Sequence, residues 1–335
     1  MRRFINKRAG TLRQISELIG RHRYFLIVAH ERPDGDAVGS TLAFYHILRS
    51  LGKDAVVYAQ DRTPENYLFL PGSDKIIYEL PSVENFEAVV ILDCSNIERI
   101  GAQAAKIAGI PHLINIDHHV SNEGFGDISL IDPDASSTGE LLFRLLRYSK
   151  APLTVETATC LYTAILTDTG GFRYGNTHSS SLLAAAELVE GGADPQWISE
   201  NIYESDPAGR IRLLTMVLPT LILEEGGKIG SLVLTQKTLA DARALPEHSE
   251  GFVDLPRSIK GVRISILYSE MMDGRYKISL RSKGSINVEK VARFLGGGGH
   301  VNAAGCRVSG ELADVRRRVV EAIQAHVPAL HEKEM

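Results

Sequence analysis

The chain has 335 residues, 44% of them hydrophobic and 23% charged, with a formal net charge of −4. That length is more than one ordinary core needs and suits two domains, and the slightly acidic balance excludes a uniformly basic, histone-like nucleic-acid binder. Three widely spaced cysteines, Cys94, Cys160 and Cys306, fit reduced thiols in a cytoplasm better than a disulfide framework, and no apolar run approaches the length of a membrane span.

The arginine-rich N-terminus lacks the apolar core of a secretory signal. Leu12, Ile15 and Ile19 recur there at helical spacing and predict a short amphipathic helix. Buried strands are expected over 24–29, 55–59, 88–92 and 112–116, with a helix over 38–51 closed by Gly52. Nearly continuous apolar strands alternating with helical patterns predict a parallel sheet covered on both faces. From Ser137 to about Met216 the pattern turns helical: helices are expected from a cap at Ser136 or Ser137 through Tyr148, over 155–166 and over 179–189, with Trp197 as packing. Pro219 and the Gly226-Gly227 pair mark a break over 219–228. Beyond it a strand is expected over 229–235. Val262, Ile264, Ile266 and Tyr268 then alternate up to Asp273-Gly274, and Tyr276, Ile278 and Leu280 alternate after it, which predicts a hairpin with a loop longer than two residues. Helices over 288–294 and 312–326 follow. The fold class is therefore α/β: a larger parallel-sheet domain (1–218), a linker (219–228) and a smaller α+β domain (229–335).

The chemistry-bearing residues gather at strand ends. After the first strand comes His30-Glu31-Arg32-Pro33-Asp34-Gly35-Asp36, directly before a helix; Asp93 ends the 88–92 run, and Asp117-His118-His119 ends the next. The carboxyl edge of an open α/β sheet is where such folds hold ligands. One aspartate beside a helix start reads equally well as a cap, but three strand ends loaded with Asp and His do not. Asp168 ends a predicted helix, where the dipole disfavours a carboxylate and a compensating cation would help. His and Asp without cysteine suit Mn²⁺, Mg²⁺ or Zn²⁺. Five aspartates and three histidines exceed the needs of one ion but fit two divalent ions roughly 3.5–4 Å apart around a shared carboxylate; a single stabilising ion is the plainer alternative.

The second half adds an anion-binding pattern. Between Arg257 and Arg307 ten Lys or Arg stand against three acids. Arg281 and Lys283 follow the second hairpin strand, and Gly296-Gly297-Gly298-Gly299-His300-Val301-Asn302 follows in a run whose consecutive glycine amides could approach an anion. Phe172-Arg173-Tyr174 offers either a platform for a base or ordinary core packing, and Cys94 reads as a small buried residue.

His30-x-x-x-Asp34-x-Asp36, Asp93, Asp117-His118-His119 and Asp168 resemble the four motifs of the DHH phosphoesterase superfamily, and Gly296 to Gly305 resembles the signature of its DHHA1 substrate-binding domain. The length is most similar to the NrnA-type nanoRNases of that family. The resemblance implies that His30 and Asp34 hold one Mn²⁺, that Asp36, His118 and Asp168 hold the other, and that Asp93 bridges them. It further implies that His119 faces the substrate phosphate, that Asp117 orients a histidine, and that Arg281 grips a terminal phosphate. Lys283, Gly297, Gly298, Gly299, His300 and Asn302 complete the expected substrate contacts.

The expected function is hydrolysis of very short RNA oligonucleotides to mononucleotides, and of adenosine 3′,5′-bisphosphate to AMP. The water is expected to be activated by two divalent ions, Mn²⁺ first and Mg²⁺ or another divalent ion second. Short single-stranded RNA, dinucleotides and a nucleoside bisphosphate are the expected partners, with no membrane and, by family analogy, a homodimer in the cytoplasm. Two alternatives stay open: a phosphodiesterase for linear dinucleotides made from cyclic messengers, and a non-catalytic, metal-dependent RNA-binding protein.

Overall fold

A computed structural model describes residues 8–327, the side chain of His300 excepted. The chain divides into two compact units, Met1–Ser205 and Asp206–Met335.

The first unit opens with helix α1 (Ala9–Arg21), whose Leu12, Ile15 and Ile19 are buried as their spacing predicts. The sheet consists of β1 (Tyr24–Val28), β2 (Asp54–Tyr58), β3 (Ile76–Ile77), β4 (Ala88–Leu92), β5 (Leu113–Asp117) and β6 (Ile128–Ile131). Its order is β3-β2-β1-β4-β5-β6 and every pairing is parallel. Successive residues of a strand feed opposite cores. Phe25, Ile27, Val90 and Ile116 pack on one side with the long helices, while Leu26, Val28, Val89 and Ile91 meet Ile100, Ile107 and Ile110 on the other. Both faces are covered, which is why these strands read as unbroken apolar runs. The longer helices that follow are α2 (Gly35–Ser50), α3 (Thr138–Ser149), α4 (Val155–Asp168), α5 (Ser179–Glu190) and α6 (Pro195–Tyr203). Strand order reverses between β1 and β4, so a crevice opens at their carboxyl ends.

Small residues let three of these helices approach closely. A Cβ on Gly39 of α2 would lie 2.7 Å from the Cys160 carbonyl oxygen of α4, and one on Gly35 would lie 2.5 Å from Thr167 Oγ1. On α3, a Cβ at Gly139 would lie 2.5 Å from the Ala164 Cβ. This contact brings the start of α2, the start of α3 and the end of α4 to one place.

The second unit begins earlier than the expected boundary at 218. Helix α7 (Ala208–Val217) sends Leu213 and Val217 into a core with Leu232, Leu234, Leu239 and Phe252, all of the second unit. The expected linker over 219–228 is instead built into that unit. Ile222–Glu224 forms β7, and Gly226 and Gly227, at φ 64° and 85°, turn it back into β8 (Ile229–Leu234). Gly-Gly signals a turn whether the turn joins domains or strands, and here it joins strands.

The sheet order is β11-β12-β10-β9-β8-β7, with β9 (Ile264–Glu270), β10 (Arg275–Ser282), β11 (Gly298–His300) and β12 (Ala303–Ser309). Only the β8–β9 pair is parallel, and its crossover carries α8 (Gln236–Ala242). Helices α9 (Glu289–Phe294) and α10 (Leu312–His326) cover one face. The glycine run, expected as a loop, contributes an edge strand. Gly298, Gly299 and His300 pair antiparallel with Gly305, Ala304 and Ala303. Among the described residues no helix is long and apolar enough to cross a membrane.

Candidate metal centre

Each of the loaded strand ends delivers its residues to the β1–β4 crevice. His30 follows β1, and its Nδ1 lies 2.8 Å from the Glu31 carbonyl oxygen, which leaves Nε2 facing Asp93 Oδ2 at 3.5 Å. Asp34 is the N-cap of α2; its Oδ1 accepts from the amides of Asp36 and Ala37 at 3.1 Å. The cap and the ligand-like readings of this aspartate thus hold together: one oxygen ends the helix while the residue stays exposed at the crevice.

Asp36 points the other way and is buried. Its oxygens accept from Ser40 Oγ at 3.0 Å, the Thr138 amide at 2.7 Å and the Gly139 amide at 3.0 Å. The last two are first-turn amides of α3, which have no partner within their own helix. Asp93 sits past β4 at φ 54°, a left-handed backbone that costs a non-glycine residue strain and often marks a functional turn. Its carboxylate faces two ways, Oδ2 toward His30 and Oδ1 toward His118 Nε2 at 3.7 Å, with Thr138 Oγ1 donating to Oδ1 at 3.2 Å. His118 Nε2 also lies 3.5 Å from Asp168 Oδ2 and 3.8 Å from Asp36 Oδ2.

Three groups could each hold a cation: His30, Asp34 and Asp93; Asp36, His118 and Asp168; and Asp93, His118 and His119. Within each, the ligand atoms lie within 4.8 Å of one another. Asp93 is shared with the first group and lies beside the second, the arrangement that two ions with a common carboxylate need. The donor set contains no thiol. Cys94 is buried, donates to the Asn96 carbonyl oxygen, and burial pushes its pKa to about 12.

The electrostatics of the crevice are those of crowded carboxylates. Burial pushes Asp36 well above the usual range, and the charges of Asp93 and Asp168 add to the rise. Burial also pushes Asp168 up to about 6, against the pull of His118 and with the charge of Asp93. Burial would raise Asp93 as well, but the His30 hydrogen bond and the nearby His118 and His119 outweigh it and hold the carboxyl at about 2. Such a cluster is the environment a divalent cation relieves.

His119 and Asp117 form a separate pair. Nδ1 of His119 donates to Asp117 Oδ1 at 2.7 Å, and this bond raises the imidazole to about 9. Asp117 is fully buried and also accepts from the His118 amide and from Asn122 Nδ2. Asp117 thus holds the His119 ring from behind and belongs to none of the three groups itself.

Several supports of the crevice carry no local sequence signal. Thr138 and Gly139 were legible only as a helix start, because what they bind lies about a hundred residues away. Asn176 Nδ2 holds Asp168 through both its backbone and side-chain oxygens, and no local pattern marks it. Trp197 packs edge-on against Phe69 but stays 42% exposed. Phe172 packs against the core, whereas Tyr174 is exposed, so core packing accounts for only one of these two aromatics.

In the second unit Arg281 of β10 is half-buried and donates to the Leu280 carbonyl oxygen. Register aligns residue 281 with Ala303, and Ala303 with residue 300; the side chain of His300 lies outside the described residues. Lys283 is exposed just past the strand. Asn302 turns inward, where Nδ2 binds Ser282 Oγ and the Gly284 carbonyl oxygen and so shapes the turn after β10. The glycines differ among themselves. A Cβ on Gly297 would lie 2.1 Å from the Gly305 carbonyl oxygen, whereas Gly298 faces open space.

A parallel-sheet domain with this crevice, followed by a glycine-edged second domain, defines a class. Residues 24–165 match the N-terminal domain of the DHH family and residues 232–327 match the DHHA1 domain. The chain belongs to the DHH family of phosphoesterases. It is 35% identical to the bifunctional oligoribonuclease and PAP phosphatase NrnA of Thermus thermophilus, over 89% of this chain and 88% of that protein. The crystal structure of an exopolyphosphatase-related protein from Bacteroides fragilis superposes with a TM-score of 0.92 at 31% identity, covering 97% of this chain and 98% of that one. RecJ from Thermus thermophilus in complex with Mn²⁺ shares the fold, with a TM-score of 0.50 at 15% identity over 94% of this chain and 55% of that one.

Proposed function

We propose that the protein hydrolyses the phosphodiester bonds of very short RNAs, two to a few nucleotides long, to mononucleotides, and removes the 3′-phosphate of adenosine 3′,5′-bisphosphate. One observation carries this reading: Asp93 presents its two carboxylate oxygens to two different sets of ligands at the switch point of the sheet. His30, Asp34 and Asp93 would hold one divalent ion, and Asp36, Asp93, His118 and Asp168 the second. The ions supply charge neutralisation at the phosphate and a water of lowered pKa. His119, whose imidazole the Asp117 bond raises to about 9, would offer an N–H to phosphate oxygens. Arg281 suits the far phosphate of the substrate, since a planar guanidinium can meet phosphate oxygens in a fork. Manganese as the native ion, a cytoplasmic location and a homodimer belong to the same reading and are supported by family membership alone.

The test is a substrate panel with Mn²⁺: a 5′-labelled dinucleotide, a 24-nucleotide RNA, adenosine 3′,5′-bisphosphate and pyrophosphate. The dinucleotide and the bisphosphate should be consumed. Preferential cleavage of the long RNA, or pyrophosphate as the sole substrate, overturns the proposal, and binding of all four without turnover favours a non-catalytic RNA-binding protein.

A further inference from the structure

The chain leaves α4 along a strained path. Gly170, Gly171 and Phe172 have φ of 58°, 71° and 62°. Two glycines adopt this region freely, but a phenylalanine does so only where its surroundings over-determine it. They do so here. The amides of Arg173 and Tyr174 both donate to the Thr169 carbonyl oxygen, the Phe172 amide donates to Thr169 Oγ1, and the Phe172 ring meets Tyr162 edge-on at 6.2 Å. Asn176 then ties the end of the segment back to Asp168.

The outcome of this path is the placement of one ring. Tyr174 folds back over Gly170 so closely that a Cβ on residue 170 would lie 2.4–2.6 Å from three ring atoms. The tyrosine is nevertheless 56% exposed. It lies against backbone on one side and is open to water on the other. Gly170 follows Asp168 by two residues, a span of at most about 7 Å, so the ring lies over backbone that directly continues from one of the crevice carboxylates. Arg173, exposed, donates to the Gly170 carbonyl oxygen and adds positive charge at the same spot.

We propose that Tyr174 is a stacking platform for a nucleobase, positioning the nucleotide whose phosphate enters the β1–β4 crevice. An aromatic face stacks on any base, so the subsite serves affinity and places the phosphate without selecting sequence. The inference rests on the nucleotide-hydrolase reading above.

The test uses a non-hydrolysable dinucleotide carrying 2-aminopurine, whose fluorescence falls on stacking, together with a hydrolysable dinucleotide and its abasic analogue. The wild type and Tyr174→Phe should quench the probe. Tyr174→Ala, with unchanged metal content and melting temperature, should lose the quenching, raise the dissociation constant about 5- to 150-fold and erase the KM preference for the dinucleotide over the abasic analogue. Absence of quenching by the wild type, its persistence in Tyr174→Ala, or its loss in Tyr174→Phe overturns the platform. A wild type that quenches the probe but leaves the hydrolysable dinucleotide intact supports the platform and overturns the nuclease reading. Equal KM values for the dinucleotide and the abasic analogue overturn the platform and leave the nuclease reading standing.

Discussion

Asp93 is the residue on which the crevice turns, because among the described residues no other carboxylate there faces both His30 and His118. Asp93→Asn keeps the size and removes the charge. It should abolish turnover and lower bound metal at both positions, as measured by elemental analysis beside kinetics. The neighbouring carboxylates make the metal-free protein sensitive to pH. Asp168 ionises near 3.8 when unfolded and near 6 in the fold, and Asp36 is raised in the same direction. The folded state therefore binds more protons across this window, and stability falls as pH rises from about 4 to about 6. Asp93 works oppositely: held at about 2, it contributes stability above 3.8 that is lost as pH falls toward 2. Chelator-treated protein should thus melt at a lower temperature at pH 7 than at pH 4.5, and the rise in melting temperature caused by Mn²⁺ should grow over the same range. A flat profile would count against buried, cation-free carboxylates.

At the scale of elements, the site is a consequence of how closely α2 and α4 pack. Asp36 stands at the start of one helix and Asp168 at the end of the other, and Gly39 lets the two touch. Gly39→Val would force its side chain onto the Cys160 carbonyl oxygen. It should cost about 1–3 kcal/mol of stability and reduce metal content without altering any ligand, measured by denaturant melts and metal analysis. The strands before Asp93 and Asp117 were legible because they are buried on both faces and, Asn115 apart, are apolar up to those aspartates. Helix α3 was legible through its Ser137 cap, which accepts from the Glu140 amide. That the same first turn points two amides at Asp36 was not legible, because the spacing of α2 from α3 depends on long-range packing. The edge strand at Gly298 hid for a related reason: glycines carry no alternation, so only pairing with β12 reveals a strand.

For the whole molecule, a net charge of −4 says little about an anionic substrate, because the charges are segregated. Residues 1–205 carry 18 Lys or Arg against 26 Asp or Glu, and residues 206–335 carry 19 against 15. Arg281→Ala should raise KM for phosphate-ended substrates about tenfold or more while metal content stays that of the wild type. A loss of metal in this variant would contradict a division of labour between the units. The second unit also absorbs α7 and the 219–228 segment. Proline and paired glycines signalled an interruption there, but an interruption within a hairpin and one between domains use the same residues.

The sequence by itself determined the fold class, the strand ends that carry chemistry and the kinds of atoms offered there, because apolar periodicity and residue type are local properties. The tertiary structure decided which side chains come together as possible cation groups, that Asp93 faces two of them, that Asn302 shapes a turn, and that Tyr174 lies open over Gly170. Each of these depends on distances between residues far apart in the chain or on a backbone conformation that neighbours impose. Length and composition set the bounds of two domains, and packing alone drew the line between them at Ser205.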